Sequence, residues 1–218
     1  ISIYIGSYFR SKIGIQTNLK KAFPKINNVD KKKYTKEMWC NFGRTFAEYV
    51  YLKNFRKNPD KHIAINGVEI LDLIQSNRKS TVFISGHFAN FELMAMELDR
   101  KELNIAAIYR PLNNFFLNPL MEYWRKKYIC NYQIPKKIPG KGGDGTREFL
   151  KAVQKKTNIA VMVDQSVTQG KRINFFNEKA FTTSIPSQLA LKYNYQIVPI
   201  SIRRVDKYQF VMDVFPPL

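Results

Sequence analysis

Within Phe83-Ile84-Ser85-Gly86-His87-Phe88-Ala89-Asn90-Phe91-Glu92-Leu93, an imidazole and a carboxylate stand five residues apart. A neutral imidazole can take a proton from a hydroxyl. A carboxylate on its other nitrogen fixes the tautomer and stabilises the imidazolium that forms. In one continuous helix this spacing would set the two side chains about 140° apart. The apolar run before Gly86 reads instead as a buried strand, with Gly86 permitting a tight turn and Asn90 capping the helix that follows. His87 then lies in the turn and Glu92 in the first helical turn, where the dipole favours its ionised form. The chain can fold back and bring carboxylate to imidazole. Backbone N–H groups near Gly86 or at the helix start are candidate oxyanion donors. The competing reading of the same pair is a structural histidine satisfied by its neighbours.

Little else in the chain offers catalytic chemistry. There is no GxSxG elbow and no Walker-type loop. Cys40 and Cys130 have no histidine in their local sequence, and with His62 and His87 they lack the spacing of a zinc site. No metal and no cofactor are expected, and both cysteines read as small apolar residues in a reducing compartment. His62, after Pro59-Asp60-Lys61, reads as a surface residue. Arg110 follows a strand and precedes Pro111, so it is either a functional loop charge or a turn cap. Arg125 lies in an Arg-Lys-Lys run, a pattern typical of solvated faces. Asp164 ends an apolar strand, where a carboxylate is either catalytic or a turn former. The glycines from Gly140 to Gly145 lack Walker spacing and read as a loop, with a lid over the site as one use for it.

The elements that must position these residues alternate from about Ile63. Strand-like runs at Thr81–Ile84, Ile105–Tyr109, Ile159–Val163 and Ile197–Ile202 are separated by helical patterns at Phe91–Arg100, Phe115–Lys127, Arg147–Lys156 and Ser187–Tyr193. Near-continuous Val/Ile runs between helices imply strands buried on both faces. The fold class is therefore α/β, with a mixed, mainly parallel sheet flanked by helices. Tyr208–Val214 alternates and reads as an edge strand. Active sites of such sheets gather at the carboxyl ends of the strands, where His87, Arg110 and Asp164 all fall.

The 218 residues carry 36 Lys+Arg against 17 Asp+Glu, a net charge of +19. Residues 1–62 hold 14 of the basic and 4 of the acidic residues. They form a basic helical N-terminal region packed on an α/β core of residues 63–218, a single domain overall. The helix expected over Lys36–Leu52 lines up Met38, Phe42, Phe46, Tyr49 and Val50, with Lys31-Lys32-Lys33 before it. This stripe is either a membrane-surface face or a core stripe beneath a solvated one. At 44% hydrophobic and 14% aromatic the chain is not disordered. The excess charge calls for an anionic partner. Nucleic acid is disfavoured: no recognition motif is present, and the aromatics follow core-like periodicity rather than a stacking platform. No apolar run reaches the ~18 residues of a membrane span, and Ile1–Phe9 is short and broken by Gly6 and Ser7.

The segment Gly86-His87-Phe88-Ala89-Asn90-Phe91-Glu92-Leu93 resembles the HxxxxD/E motif of lysophospholipid-type acyltransferases, and more closely the bacterial lipid A late acyltransferases. The resemblance runs over most of the chain: Asn18-Leu19 to Phe23-Pro24, Tyr109-Arg110-Pro111-Leu112-Asn113-Asn114, Tyr123-Trp124-Arg125, and Val163-Asp164-Gln165 followed by Gly170. Asn174–Asn177 and Ala180–Thr182 look like the family's phenylalanine-rich strand and turn, and Val198-Pro199 like its late proline motif. The resemblance implies direct acyl transfer from acyl carrier protein to a hydroxyl of a lipid A precursor, with His87 as general base, Glu92 orienting it, and no acyl-enzyme. It implies functional roles for Arg125 and Asp164. Arg110 or Arg125 becomes the candidate for binding a phosphate or stabilising developing charge. Gln165 stands where branches of the family differ, which leaves the acceptor open, a glycerolipid or glycolipid being the other choice. Family members carry an N-terminal membrane helix; here that anchor is expected to be missing from the chain, and the enzyme to work on the membrane surface at the cytoplasmic face of the inner membrane.

Overall fold

A computed structural model describes residues 12–112, 114–136, 145–167, 170–176 and 178–218. The chain divides into two compact units. One comprises the described residues up to Val50 together with Ser166–Thr183, and the other comprises Tyr51–Gln165 and Ser184–Leu218.

The first unit holds helix α1 (Lys12–Ala22), helix α2 (Asn28–Ala47) and a two-stranded hairpin. The α2 helix starts earlier than the sequence pattern suggests because Asn27 caps it, its side chain accepting the Asp30 N–H at 2.8 Å. Of the apolar residues in this region, Trp39 and Tyr49 are buried, whereas Phe42, Phe46 and Val50 are exposed. The hairpin pairs β6 (Lys171–Phe175) with β7 (Glu178–Thr182), Lys171 opposite Thr182 and Phe175 opposite Glu178. Phe176 adopts a positive φ of 49° in the turn, and its ring meets those of Phe175 and Phe23 at 4.7 and 6.1 Å. Gly170 is required at the hairpin's entry, since a Cβ there would lie 2.4 Å from the Thr182 carbonyl oxygen.

The second unit is the sheet. After helix α3 (Leu52–Lys57) come β1 (Ile63–Asn66), α4 (Val68–Asn77), β2 (Thr81–Ser85), α5 (Glu92–Arg100) and β3 (Ile105–Tyr109). Helix α6 (Leu117–Trp124) runs on through a π-helical turn at Arg125–Ile129 into β4 (Tyr132–Pro135). Helix α7 (Gly145–Gln154), β5 (Asn158–Met162), α8 (Ile185–Tyr193), β8 (Gln196–Asp206) and β9 (Gln209–Val214) complete it. The strand order is β1-β9-β8-β2-β5-β3-β4, and every pairing is parallel except β8 with β9. The mixed, mainly parallel sheet read from the sequence is therefore present.

Val82, Ala106, Ile159 and Val161 pack with Ala152 and Val153 of α7 and Leu189 of α8 into one core. That burial explains the Val/Ile runs. Two differences from the sequence reading have simple causes. Tyr208–Val214 does not form the edge, because the short Ile63–Asn66 strand pairs parallel outside it. The β4 strand was missed because it is four residues long, ends in Pro135 and lacks a Val/Ile run. The Ile1–Phe9 run, Asn113 and Gly140–Asp144 lie outside the described residues, while Gly145 opens α7.

Candidate active site

The site grows from the register of two central strands. Parallel β2 and β5 align Val82 with Ile159 and Ser85 with Met162, and the Val163 N–H donates to the Ser85 carbonyl at 2.9 Å to extend the ladder. The next step places His87 against Asp164. The imidazole Nδ1 lies 2.8 Å from Asp164 Oδ1, and the His87 backbone N–H donates to Oδ2 at 2.8 Å. Gly86 makes the approach possible: a Cβ there would sit 3.0 Å from the Phe88 ring and 3.3 Å from Asp164 Oδ2. The Phe91 ring packs edge-on against the imidazole, centroids 4.6 Å apart. The two side chains remain 32% and 38% exposed, open enough for a substrate to reach them.

Partial burial alone would raise the Asp164 carboxyl. The hydrogen bonds from the His87 ring and backbone, with the charge of the imidazole, outweigh it and hold Asp164 below the ordinary carboxylate value. An ionised carboxylate only accepts, so Nδ1 carries a proton, and in the neutral form of the ring Nε2 presents its lone pair. The Gln165 side-chain nitrogen stands 3.4 Å from that Nε2.

Glu92 has a different partner. Its Oε1 accepts from Arg125 Nε at 2.9 Å and also from Arg125 Nη2, and both side chains are largely buried. The pair ties the first residue of α5 to the π-helical turn after α6. The Arg125 guanidinium lies 5.5 Å over the Tyr109 ring. The Tyr109 hydroxyl in turn donates to Glu122 at 2.8 Å, and Asn118 donates to the same carboxylate oxygen at 2.9 Å. Burial and the Glu122 hydrogen bond push the Tyr109 phenol well above its usual value, so it stays a donor. Asn118 also accepts the Leu112 N–H at 2.7 Å, which anchors the loop that follows Arg110.

The model of the bacterial lipid A biosynthesis acyltransferase family matches residues 1–218. The chain belongs to that family. It is thus an acyltransferase of lipid A biosynthesis. No curated protein matches it in sequence.

In this lipid A acyltransferase, the residues singled out in the sequence come together in two sets. His87, Asp164, Gln165 and Gly86 come together at the carboxyl ends of β2 and β5. Glu92 and Arg125 come together as a second, buried pair. The expected His87–Glu92 contact gives way to His87–Asp164, because the strand register delivers Asp164 to Nδ1 while α5 turns Glu92 toward Arg125. Asn90 is buried, and its place as N-cap goes to Phe91, with no side-chain capping bond, since the helix begins only at Glu92. Two of the expected oxyanion donors are already committed: His87 N–H to Asp164 and Phe88 N–H to the Gly86 carbonyl at 2.8 Å.

Arg110 is exposed at the carboxyl end of β3, one step beyond Tyr109. The sequence reading missed Lys136, which occupies the matching position after β4. It also missed the support that Glu122 and Asn118 give Tyr109. A Lys-Lys step after a short, Pro-ended strand gives no period to detect.

His62 is bonded to Asn54 and to the Tyr208 carbonyl, each at 3.2 Å, and packs edge-on on Phe55. Both cysteines are free thiols, and burial pushes Cys130 up to about 12, far from a thiolate. Among the described residues no cluster of His, Cys, Asp and Glu is fit to hold a metal. Among them, too, no helix is long and apolar enough to cross a membrane.

Proposed function

We propose that the chain moves a fatty acyl group from the thioester of acyl carrier protein to a hydroxyl of a lipid A precursor, with His87 as general base. The observation that carries this reading is the His87–Asp164 pair at the strand edge. Asp164 holds the Nδ1–H tautomer, and Nε2 takes the proton of the acceptor hydroxyl as its oxygen attacks the thioester carbonyl. The tetrahedral intermediate collapses, the ester C–O bond remains, the C–S bond breaks, and the imidazolium returns its proton to the departing thiolate. No acyl-enzyme is needed. In support, the hydrogen-bond partners of His87 among the described residues are Asp164 and Gln165, with no Ser, Thr or Cys among them.

In this reading Glu92 and Arg125 are positioning residues. Their buried ion pair sets where α5 starts, and therefore where the turn carrying His87 and Phe91 lies. Docking at the cytoplasmic face of the inner membrane is supported by the basic N-terminal region, where Lys31-Lys32-Lys33 precede exposed Phe42 and Phe46 on α2.

The test is transfer of labelled acyl chain from acyl carrier protein to a tetra-acylated lipid A precursor. His87→Ala is expected to lower turnover by about 10²–10⁴-fold, the usual span of general-base catalysis. Wild-type turnover in that variant would refute the mechanism. Transfer to a lysophospholipid alone would move the acceptor to the glycerolipids.

A further inference from the structure

Acyl transfer places negative charge on the thioester carbonyl oxygen as the acceptor oxygen bonds to its carbon, and that oxygen needs a hydrogen-bond donor. Several donors around His87 are already committed. The His87 N–H donates to Asp164 and the Phe88 N–H to the Gly86 carbonyl. At the start of α5, the Leu93 N–H donates to the Asn90 carbonyl at 3.2 Å and the Met94 N–H to the Phe91 carbonyl at 3.3 Å. The Arg125 guanidinium is held by Glu92 in a largely buried pair.

Gln165 differs from all of these. It follows Asp164 past the carboxyl end of β5, it is exposed, and its side-chain nitrogen lies 3.4 Å from His87 Nε2. Asp164 accepts from Nδ1, so in the neutral ring the amide donates to the Nε2 lone pair. The acceptor hydroxyl must donate to that same lone pair before it attacks. The hydroxyl therefore displaces the amide, which keeps both of its N–H donors beside the reacting atoms on a flexible arm. In the tetrahedral intermediate the oxyanion shares one carbon with the oxygen that faced Nε2. A donor that starts 3.4 Å from Nε2 is within reach of it.

We propose that Gln165 is a catalytic residue, its side-chain amide donating to the oxyanion that forms on the thioester carbonyl. The role rests on the acyl-transfer reading with His87 as general base.

Gln165→Met keeps the length of the arm and removes its donors. The side chain is exposed, so the variant should unfold at the wild-type urea concentration. With the carrier thioester and the lipid acceptor, kcat is expected to fall about 10²–10³-fold, the usual cost of one oxyanion donor, with KM for both substrates little changed. A loss confined to KM overturns the assignment. A donor acting on the carbonyl works with or without the imidazole. In single turnovers with enzyme in excess, the double variant His87→Ala/Gln165→Met should therefore be slower than His87→Ala by a similar factor. Equal rates in those two proteins would mean that Gln165 acts only through His87, and would overturn the donor role. So would wild-type kcat in Gln165→Met beside slow turnover in His87→Ala, a result that leaves the acyl-transfer reading standing. Wild-type turnover in His87→Ala beside a slow Gln165→Met would instead remove the base and keep the donor.

Discussion

His87 and Asp164 are 77 residues apart in sequence, and β2 and β5 pair with that same offset, Val82 opposite Ile159 and Ser85 opposite Met162. The contact is the continuation of a strand ladder past its last paired residues. A loop histidine placed this way inherits the rigidity of two buried central strands. That is why the carboxylate on Nδ1 comes from the distant strand rather than from Glu92, five residues away.

Asp164→Asn is expected to lower kcat by about 10²-fold or more with little change in KM, because an amide no longer holds the tautomer or stabilises the imidazolium. The carboxyl of Asp164 is held below its ordinary value, so the pair adds stability above the unfolded carboxylate value near 4 and loses it as pH falls through the folded value. Urea unfolding should show wild type more stable than Asp164→Asn at neutral pH, with the gap closing in acid. A gap that widens in acid would contradict the assignment.

Glu92 and Arg125 behave differently, as a buried ion pair. Removing one partner leaves a charge without compensation in a largely dry site, which typically costs about 3–5 kcal/mol. Glu92→Ala and Arg125→Ala should each destabilise strongly, and the double variant should cost clearly less than the sum of the two. Simple additivity in denaturant titrations would rule out the clamp role. Their effect on turnover should be largest near the unfolding transition and shrink on cooling.

The sheet, its mainly parallel sense and the edge where the site lies were legible in the sequence because buried central strands leave short, mostly apolar, Val/Ile-rich runs at Val82–Ile84, Ile105–Ile108 and Ile197–Ile202. The identity of His87 and Asp164 was legible separately, but their pairing was not. Parallel register is a long-range property: nothing near His87 states that β5, which comes back from β4, inserts beside β2. Local spacing instead favoured Glu92, and a turn can bring residue five back to the first only if no better partner exists. The exposed Phe42 and Phe46 were open between two readings for a related reason, since periodicity shows that a helix has an apolar face without saying what covers it.

Gly86→Ala tests the turn directly. The added methyl would meet the Phe88 ring at 3.0 Å and Asp164 Oδ2 at 3.3 Å, so one of them must move. Phe88 is half exposed and can yield, whereas the carboxylate is held by two hydrogen bonds. A stability loss at the low end of the about 1–3 kcal/mol of overpacking is expected, with a larger proportional loss of kcat. Full activity in a folded Gly86→Ala protein would show that the His87–Asp164 geometry tolerates displacement.

If the basic N-terminal region docks the enzyme, as proposed, its positive charge should affect binding to an anionic surface and leave the chemical step alone. Lys31, Lys32 and Lys33 lie in the first half of α2, and each lysine near an anionic lipid surface contributes about 1 kcal/mol, screened within a Debye length of about 10 Å at 0.1 M salt. Replacing all three with Gln should weaken sedimentation with phosphatidylglycerol vesicles by about tenfold or more and flatten its salt dependence. Turnover on detergent-dispersed substrate should stay near wild type, because none of the three belongs to the His87–Asp164 or Glu92–Arg125 pairs. Equal vesicle binding by wild type and the triple variant would remove this helix from the membrane contact. A parallel fall in dispersed-substrate turnover would instead place the three lysines in recognition of the acidic acyl carrier protein.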